Sequence, residues 1–362
     1  MYSALKFRAS YVEIKIPSSI HKGTAKYQKN GAYRSSSSTA PVEILERDMF
    51  AISLRAIAEQ RPSVEILIAR YIGVIADVQY ADLDDGHVEG RCQRYREAPA
   101  KVKAALADLC QQKPQCILHL GDIINGGKTE EATKNEFELI ATIFDKHLVE
   151  ANIPAVYVIG NHCLEVGRAT LMNRLKIPEP GYFTRQLPHD WRLVVLDTTE
   201  ISGQSDYPSD SWQYKEALEY ERAHPLSEKE PQMSPWNGGL SKKQMGWLKN
   251  ELRTAEAAGE KVIVACHHQF GFGAARETHL AWNWKEIQSM CVESPSFCLV
   301  LAGHDHIGGY AEISPLGKKY AVTVQGLVEA PTDSNAYAML KVFDDRIEIE
   351  GKGTVTSRKL SL

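Results

Sequence analysis

Five apolar runs of strand length in this 362-residue chain each end, within a few residues, on Asp, Asn, Gln or His. Residues 71–76 lead into Asp77-Val78-Gln79 and 116–120 into Gly121-Asp122. The run 155–159 leads into Gly160-Asn161-His162, 261–266 into His267, and 297–302 into Gly303-His304-Asp305-His306. Short β-branched and aliphatic runs of this kind read as buried strands. In α/β sheets ligands gather in the crevice beyond the strands' carboxyl ends. The chain must therefore fold so that several such ends meet. Glycines at 121, 160 and 303 let the backbone turn sharply there and let side chains approach one another.

The rest of the pattern supplies the scaffold. A sixth apolar run covers 192–196. Helical periodicity fills the gaps between runs, most clearly over 241–258. There Ser241 and Gln244 form a capping box, Met245, Leu248, Leu252 and Ala255 mark one apolar face, and Gly259 supplies the stop. A second helix is expected over 129–150, with Phe137, Ile140, Ile143 and Phe144 on one side. After residue 317 the pattern changes to consecutive strands at 320–324, 337–342 and 346–350. Strands alternating with helices and then following one another imply an α/β chain with a central sheet or two-sheet sandwich and helices outside. The Pro-, Ser-, Trp- and Gly-rich stretch 202–239 reads as a long insertion, the kind of loop that carries lids or substrate-binding arms.

Composition removes several classes of function. Lys and Arg number 42 against 46 Asp and Glu, a formal net charge of −4, so no basic excess marks a nucleic-acid binder. No apolar run approaches the ~18 residues of a bilayer span, and no membrane partner is expected. The seven cysteines are odd in number and contain no C-x-x-C pair, which fits reduced thiols and a cytoplasmic location. Residues 1–42 carry seven Lys or Arg against the single acid Glu13, with a serine run at 35–38. This basic, acid-poor stretch is compatible with organelle targeting by a transit peptide, with a disordered tail, or with an overextended gene start and Met49 as the later initiator. The domain division expected is an N-terminal extension over 1–65 and one main domain over 66–362 containing the 202–239 insertion.

The strand-end residues comprise two carboxylates, two side-chain amides and three imidazoles, with a fourth imidazole, His162, beside Asn161. That set suffices for two cations about 3.5–4 Å apart that share one carboxylate. A neutral imidazole cannot bridge, so an aspartate must, and Asp122 follows a middle strand with Gly121 before it and Gly126 after.

Together these blocks resemble the calcineurin-like metallophosphoesterase superfamily, whose pattern runs D-x-H, G-D-x-x-x-G, G-N-H-[ED], G-H and G-H-x-H. The resemblance covers roughly residues 70–355. Three positions depart from the pattern: Gln79 stands in place of His, Cys163 in place of the acid after His162, and Cys266 in place of the glycine before His267. Gln79, within Ala76-Asp77-Val78-Gln79-Tyr80-Ala81-Asp82, is similar to the branch of manganese-dependent ADP-ribose/CDP-alcohol diphosphatases. Asn237-Gly238-Gly239, Leu280-Ala281-Trp282-Asn283 and the segment following His306 resemble the same branch.

The resemblance implies a four-layer fold with two central mixed β-sheets flanked by helices. It implies that Asp77, Gln79, Asp122 and His306 hold one cation and that Asp122, Asn161, His267 and His304 hold the other. His162 is then the catalytic residue that stabilises charge or protonates the leaving group. An oxygen-rich first site favours Mn²⁺, with Mg²⁺ or Zn²⁺ as the other candidates.

The expected activity is hydrolysis of the diphosphate bond of ADP-ribose and of CDP-alcohols of the CDP-choline and CDP-glycerol type. It gives AMP or CMP and a phosphorylated sugar or alcohol. The alternatives are another dimetal phosphoesterase, acting on a cyclic nucleotide or a phosphomonoester, and a non-catalytic scaffold. Arg94 and Arg96 are candidates for the diphosphate, and Asn237, Trp282, Asn283 and Tyr310 for the nucleoside. Cys163 and Cys266 read as packing residues, and His268 as a neighbour pointing away from His267. The expected form is a monomer acting on small nucleotide-diphosphate substrates.

Overall fold

Twelve strands make two six-stranded sheets in a computed structural model that describes residues 70–362. The extension expected over 1–65 lies outside the described residues. The first sheet contains β1 (Arg70–Ile75), β2 (Cys116–His119), β3 (Ala155–Tyr157), β10 (Ala336–Val342), β11 (Arg346–Gly353) and β12 (Arg358–Ser361). The second contains β4 (Phe183–Leu187), β5 (Trp191–Val195), β6 (Lys261–Ala265), β7 (Phe297–Ala302), β8 (Gly309–Glu312) and β9 (Tyr320–Thr323). The strand orders are β12-β11-β10-β1-β2-β3 and β8-β9-β7-β6-β5-β4. In the first sheet β1, β2 and β3 run parallel, and in the second β5, β6, β7 and β9 do. The remaining pairs are antiparallel. Both sheets are therefore mixed, with a parallel centre whose carboxyl ends open on one side.

Alternation along the strands explains the layering. Leu193, Val195, Ile263, Ala265, Leu299 and Leu301 enter one apolar core together with the first sheet. Their neighbours Val194, Val262, Val264 and Val300 enter a second core. Helices α1 (Ala98–Gln111) and α2 (Glu130–Ala151) add Leu106, Leu109, Ile140 and Phe144 to the first core. Three further helices are α3 (Arg168–Leu175), α4 (Trp212–Ala223) and α5 (Lys242–Ala258), and the last is α6 (Trp284–Glu293). Leu248, Leu252 and Ala255 of α5 and Ile287 and Cys291 of α6 fill the second core. The order of layers is helix, sheet, sheet, helix.

Local signals act as expected, with one exception. The Ser241 hydroxyl accepts the Gln244 backbone N–H at 3.0 Å, and Gly259 ends α5 at φ 70°. The Gln244 side chain does not complete the capping box. It turns to the Asp197 backbone and the Glu200 carboxylate instead. The insertion returns to its starting point, because Ile201–Ser202 pairs with Gly238–Gly239, and α4 lies inside it. A second ribbon pairs Gly86–Val88 with Arg91–Gln93. None of the seven cysteines is in a disulfide. Among the described residues no helix is long and apolar enough to cross a membrane.

Candidate metal centre

The chain turns abruptly after β1, β2 and β7. Asp77, Gln79, Asp122 and His304 adopt positive φ of 50°, 41°, 56° and 70°. Left-handed backbone is costly for residues with a Cβ, and clusters of it mark sites where geometry outweighs local preference. Backbone bonds between turns hold the first three, with Asp77 N–H on Gly121 O at 3.2 Å and Gln79 N–H on Asp122 O at 2.9 Å. The strand-end glycines leave room for the side chains: a Cβ at Gly160 would collide with Asp122, one at Gly121 with His267, and one at Gly303 with Asp77.

All seven donors expected from the strand ends form one connected cluster, buried except for the half-buried His306. Gln79 Nε2 donates to Asp122 Oδ2 at 3.2 Å, and His267 Nε2 lies 3.2 Å from the same oxygen. His267 Nε2 is also 3.1 Å from Asn161 Oδ1. The His267 and His304 rings are 4.9 Å apart, the Asp77 carboxylate accepts the His304 backbone N–H at 3.1 Å, and His306 Nε2 lies 3.7 Å from Asp77 Oδ1. The ligand atoms of Asp77, Asp122 and His267 all fall within 4.8 Å of one another.

The family model for calcineurin-like phosphoesterase matches residues 71–308. The chain belongs to the calcineurin-like phosphoesterase family. Membership makes it a hydrolase. It is 30% identical over 317 residues to the manganese-dependent ADP-ribose/CDP-alcohol diphosphatase of Mus musculus, covering 79% of this chain and 91% of that one. The enzyme of the same name from Arabidopsis thaliana is 29% identical, with 79% of this chain and 94% of that one covered. Among solved structures, a dimetal phosphatase from Danio rerio superposes with a TM-score of 0.72 at 24% identity, covering 81% of this chain and 98% of that one. That likeness establishes the fold.

Three observations show that the phosphoesterase cluster fits divalent cations. Gln79 Oε1 is buried without a hydrogen-bond partner, a costly state for a carbonyl oxygen that a cation would relieve. His267 Nδ1 sits 2.8 Å from the Leu120 carbonyl and donates its proton there, which turns the lone pair of Nε2 onto two oxygen atoms at 3.1 and 3.2 Å. Three acceptors can share that space only around a proton or a metal. Without a metal the ring takes the proton: burial alone would lower its pKa, but Asp122 beside it raises the value to about 9. Burial lifts Asp77 to about 6, whereas Asp122, despite its own burial, is held below the ordinary carboxylate range by His267 and His162. Asp122 Oδ1 accepts the His162 backbone N–H at 2.9 Å, leaving Oδ2 toward the cluster.

His162 itself is half-buried, with Nδ1 2.9 Å from the Asn125 carbonyl. That bond assigns the Nδ1 proton and leaves Nε2 as the atom able to exchange one. Cys163 is buried and its sulfur accepts the Ile123 backbone N–H at 3.5 Å; Cys266 is buried in the second core.

The structure uses most of the expected substrate contacts differently. The Arg94 guanidinium donates to the carbonyl oxygens of Cys92, Glu329 and Ala330, and Arg96 is paired with Asp82 and Asp84. Neither is brought to the cluster by these bonds. Asn237 is buried behind His304, with Oδ1 2.7 Å from His304 Nε2 and its amide nitrogen on the Gln232 and Thr278 carbonyls. Asn283 is closed onto the backbone of Leu240. Trp282 is 1% exposed and stacks on Tyr220 inside the small core under α4. Tyr310 lies on β8, stacked on Tyr320 and covered by Arg358.

His268 corrects the expectation that it points away. Its ring is 4.4 Å from that of His304, because alternation lapses once β6 ends at Ala265. Thr198 and the Trp236 carbonyl engage its two nitrogens.

Other neighbours carry no motif. Gln204 Oε1 accepts from Asn161 Nδ2 at 3.4 Å, and His279 stands 5.2 Å from the His304 ring. Trp236, 43% exposed, stands 6.4 Å from His279.

Proposed function

We propose that this chain is a dimetal diphosphatase acting on ADP-ribose and CDP-alcohols, with Mn²⁺ the favoured cation. The observation that carries the reading is the setting of Asp122. One oxygen is tied to backbone and the other reaches both the Gln79 and His267 sides of the cluster. Asp77, Gln79, Asp122 and His306 would hold one cation and Asp122, Asn161, His267 and His304 the other. A pair of such cations supplies Lewis acidity, lowering the pKa of water and neutralising charge on phosphate oxygens.

The chain's own groups do the rest. The His162 Nδ1 proton is fixed on Asn125, so its Nε2 is the atom that passes a proton to the departing phosphate. Gln204 holds the Asn161 amide with its oxygen toward His267. The half-exposed indole of Trp236 takes the stacking role expected of Trp282, at the rim formed with His279. The choice of substrate is supported by the names of the relatives, and the manganese preference also by the weaker, harder amide oxygen of Gln79 in place of an imidazole. Residues 66–362 carry the whole activity, with 202–239 as an insertion that reaches the rim.

Hydrolysis of ADP-ribose, CDP-choline, cyclic AMP and p-nitrophenyl phosphate, each with Mn²⁺, Mg²⁺ or Zn²⁺, tests the proposal. Release of AMP from ADP-ribose and of CMP from CDP-choline should be fastest with Mn²⁺. A preference for cyclic AMP or p-nitrophenyl phosphate would overturn it in favour of another phosphoesterase activity.

A further inference from the structure

The turn after β9, residues 326–329, lies beyond the family match, which ends at 308. Yet it backs two of the candidate ligands. Leu327 N–H donates to Ala76 O and Val328 N–H to Asp77 O, both at 3.0 Å, while Gly326 N–H donates to His306 O at 3.1 Å. A Cβ at Gly326 would stand 2.9 Å from Cγ of His306. On the other side of the turn Glu329 is half-buried, and its two oxygens have different partners. Oε1 lies 3.0 Å from His306 Nδ1, and Oε2 accepts Arg91 Nε–H at 2.8 Å.

We propose that Glu329 is the positioning residue of the first cation position, holding the Nδ1 proton of His306 and so committing Nε2 of that ring to the cation. The proposal rests on the dimetal reading above. A neutral imidazole has one N–H and one lone pair, and the partner of the N–H decides which nitrogen is the donor atom. A carboxylate in that place also strengthens the ring as a ligand. Nε2 is the atom turned toward Asp77.

Arg91 keeps the Glu329 carboxylate in place, and it comes from the hairpin formed by Gly86–Val88 and Arg91–Gln93. Glu89, at the hairpin tip, pairs with both Arg91 and Arg276. Arg276 in turn holds Asp305, through its backbone N–H at 2.8 Å and its guanidinium at 2.9 Å. Alternating charges thus leave His306 through Glu329, Arg91, Glu89 and Arg276 and return to Asp305, the residue before it. The hairpin and the ligand segment 304–306 are tied as one unit.

Metal-free wild type and the variants Glu329→Leu, Glu329→Gln and Arg91→Met would be titrated with Mn²⁺ by calorimetry, with unfolding of each metal-free protein followed in parallel. Glu329→Leu is expected to lose about 10–100-fold in affinity at one of two Mn²⁺ sites and to keep the other. Glu329→Gln retains an oxygen that can accept the Nδ1 proton, so its loss at that site should be smaller. Arg91→Met leaves the carboxylate present and unbraced, and should weaken the same site by a few-fold. Wild-type affinity at both sites in Glu329→Leu overturns the proposal. If that variant does not fold, wild-type affinity in both Glu329→Gln and Arg91→Met does so. A wild-type protein that takes up fewer than two cations overturns the dimetal reading itself, whatever the variants do.

Discussion

The two sheets meet at one cluster and bring opposite chemistry to it. The strand ends of the first sheet carry oxygen donors: Asp77, Gln79, Asp122 and Asn161. Those of the second carry imidazole: His267, His304 and His306. On the oxygen side three residues adopt left-handed backbone, and on the nitrogen side only His304 does. The histidines are instead fixed from outside, each with its other nitrogen on a separate partner: Leu120 O, Asn237 Oδ1 and Glu329 Oε1. The difference assigns different work to the halves. Under the dimetal proposal the first sheet would supply charge and hardness and the second basic nitrogens whose direction depends on outer contacts, so that two cations would need both halves.

Removing the charge that joins the halves should have the largest effect. Asp122→Asn is expected to cut Mn²⁺-dependent ADP-ribose hydrolysis by orders of magnitude, since it neutralises the one carboxylate placed between the two sides. Steady-state rates at saturating Mn²⁺ would check this, and near wild-type turnover would break the comparison.

Next comes His162, which belongs to neither donor set. His162→Ala should lower kcat by about 10²–10⁴-fold with Mn²⁺ content unchanged. The loss should shrink for substrates with good leaving groups. An equal loss across leaving groups of widely different pKa would exclude His162 as the proton donor.

Smaller effects are expected from perturbing one half at a time. Asn237→Ala frees His304 and should weaken Mn²⁺ binding by about 10–100-fold, the usual loss when an outer partner of a ligand is removed. Direct titration of the chelator-stripped protein would show it. Gln79→His makes the oxygen half resemble the nitrogen half. It should tighten metal binding and shift the preference from Mn²⁺ toward Zn²⁺, with the fold intact. Indistinguishable titrations of the two metals against wild type and variant would mean that Gln79 makes no contact with a cation.

The sequence was most legible where burial and chemistry change within a few residues. β1, β2, β3, β6 and β7 are apolar, and each is followed by a polar donor, so the strand and its candidate ligand appear together. β4, β8 and β12 carry no such signal for a physical reason: all three are edge strands, and Thr184, Arg185, Glu312 and Lys359 break the apolar pattern that buried strands show. The outer contacts of the site were hidden differently. Glu329 follows a recognisable strand at 320–324, yet its meeting with His306 across 23 residues depends on β9 lying beside β7. Gln204 reaches Asn161 only because the insertion folds back on its own base. Trp282, Asn283 and Asn237 are of residue types suited to ligand contact, but residue type does not distinguish a rim side chain from a buried one that holds the rim in place.

Counting and locating the cations tests the central claim most directly. Crystals of the wild-type protein grown with Mn²⁺ and measured at the manganese absorption edge should show two anomalous peaks about 3.5–4 Å apart. Asp122 Oδ2 should lie between them, with Gln79 Oε1 on one cation and Asn161 Oδ1 on the other. A single peak, or two peaks that Asp122 does not bridge, would contradict the account.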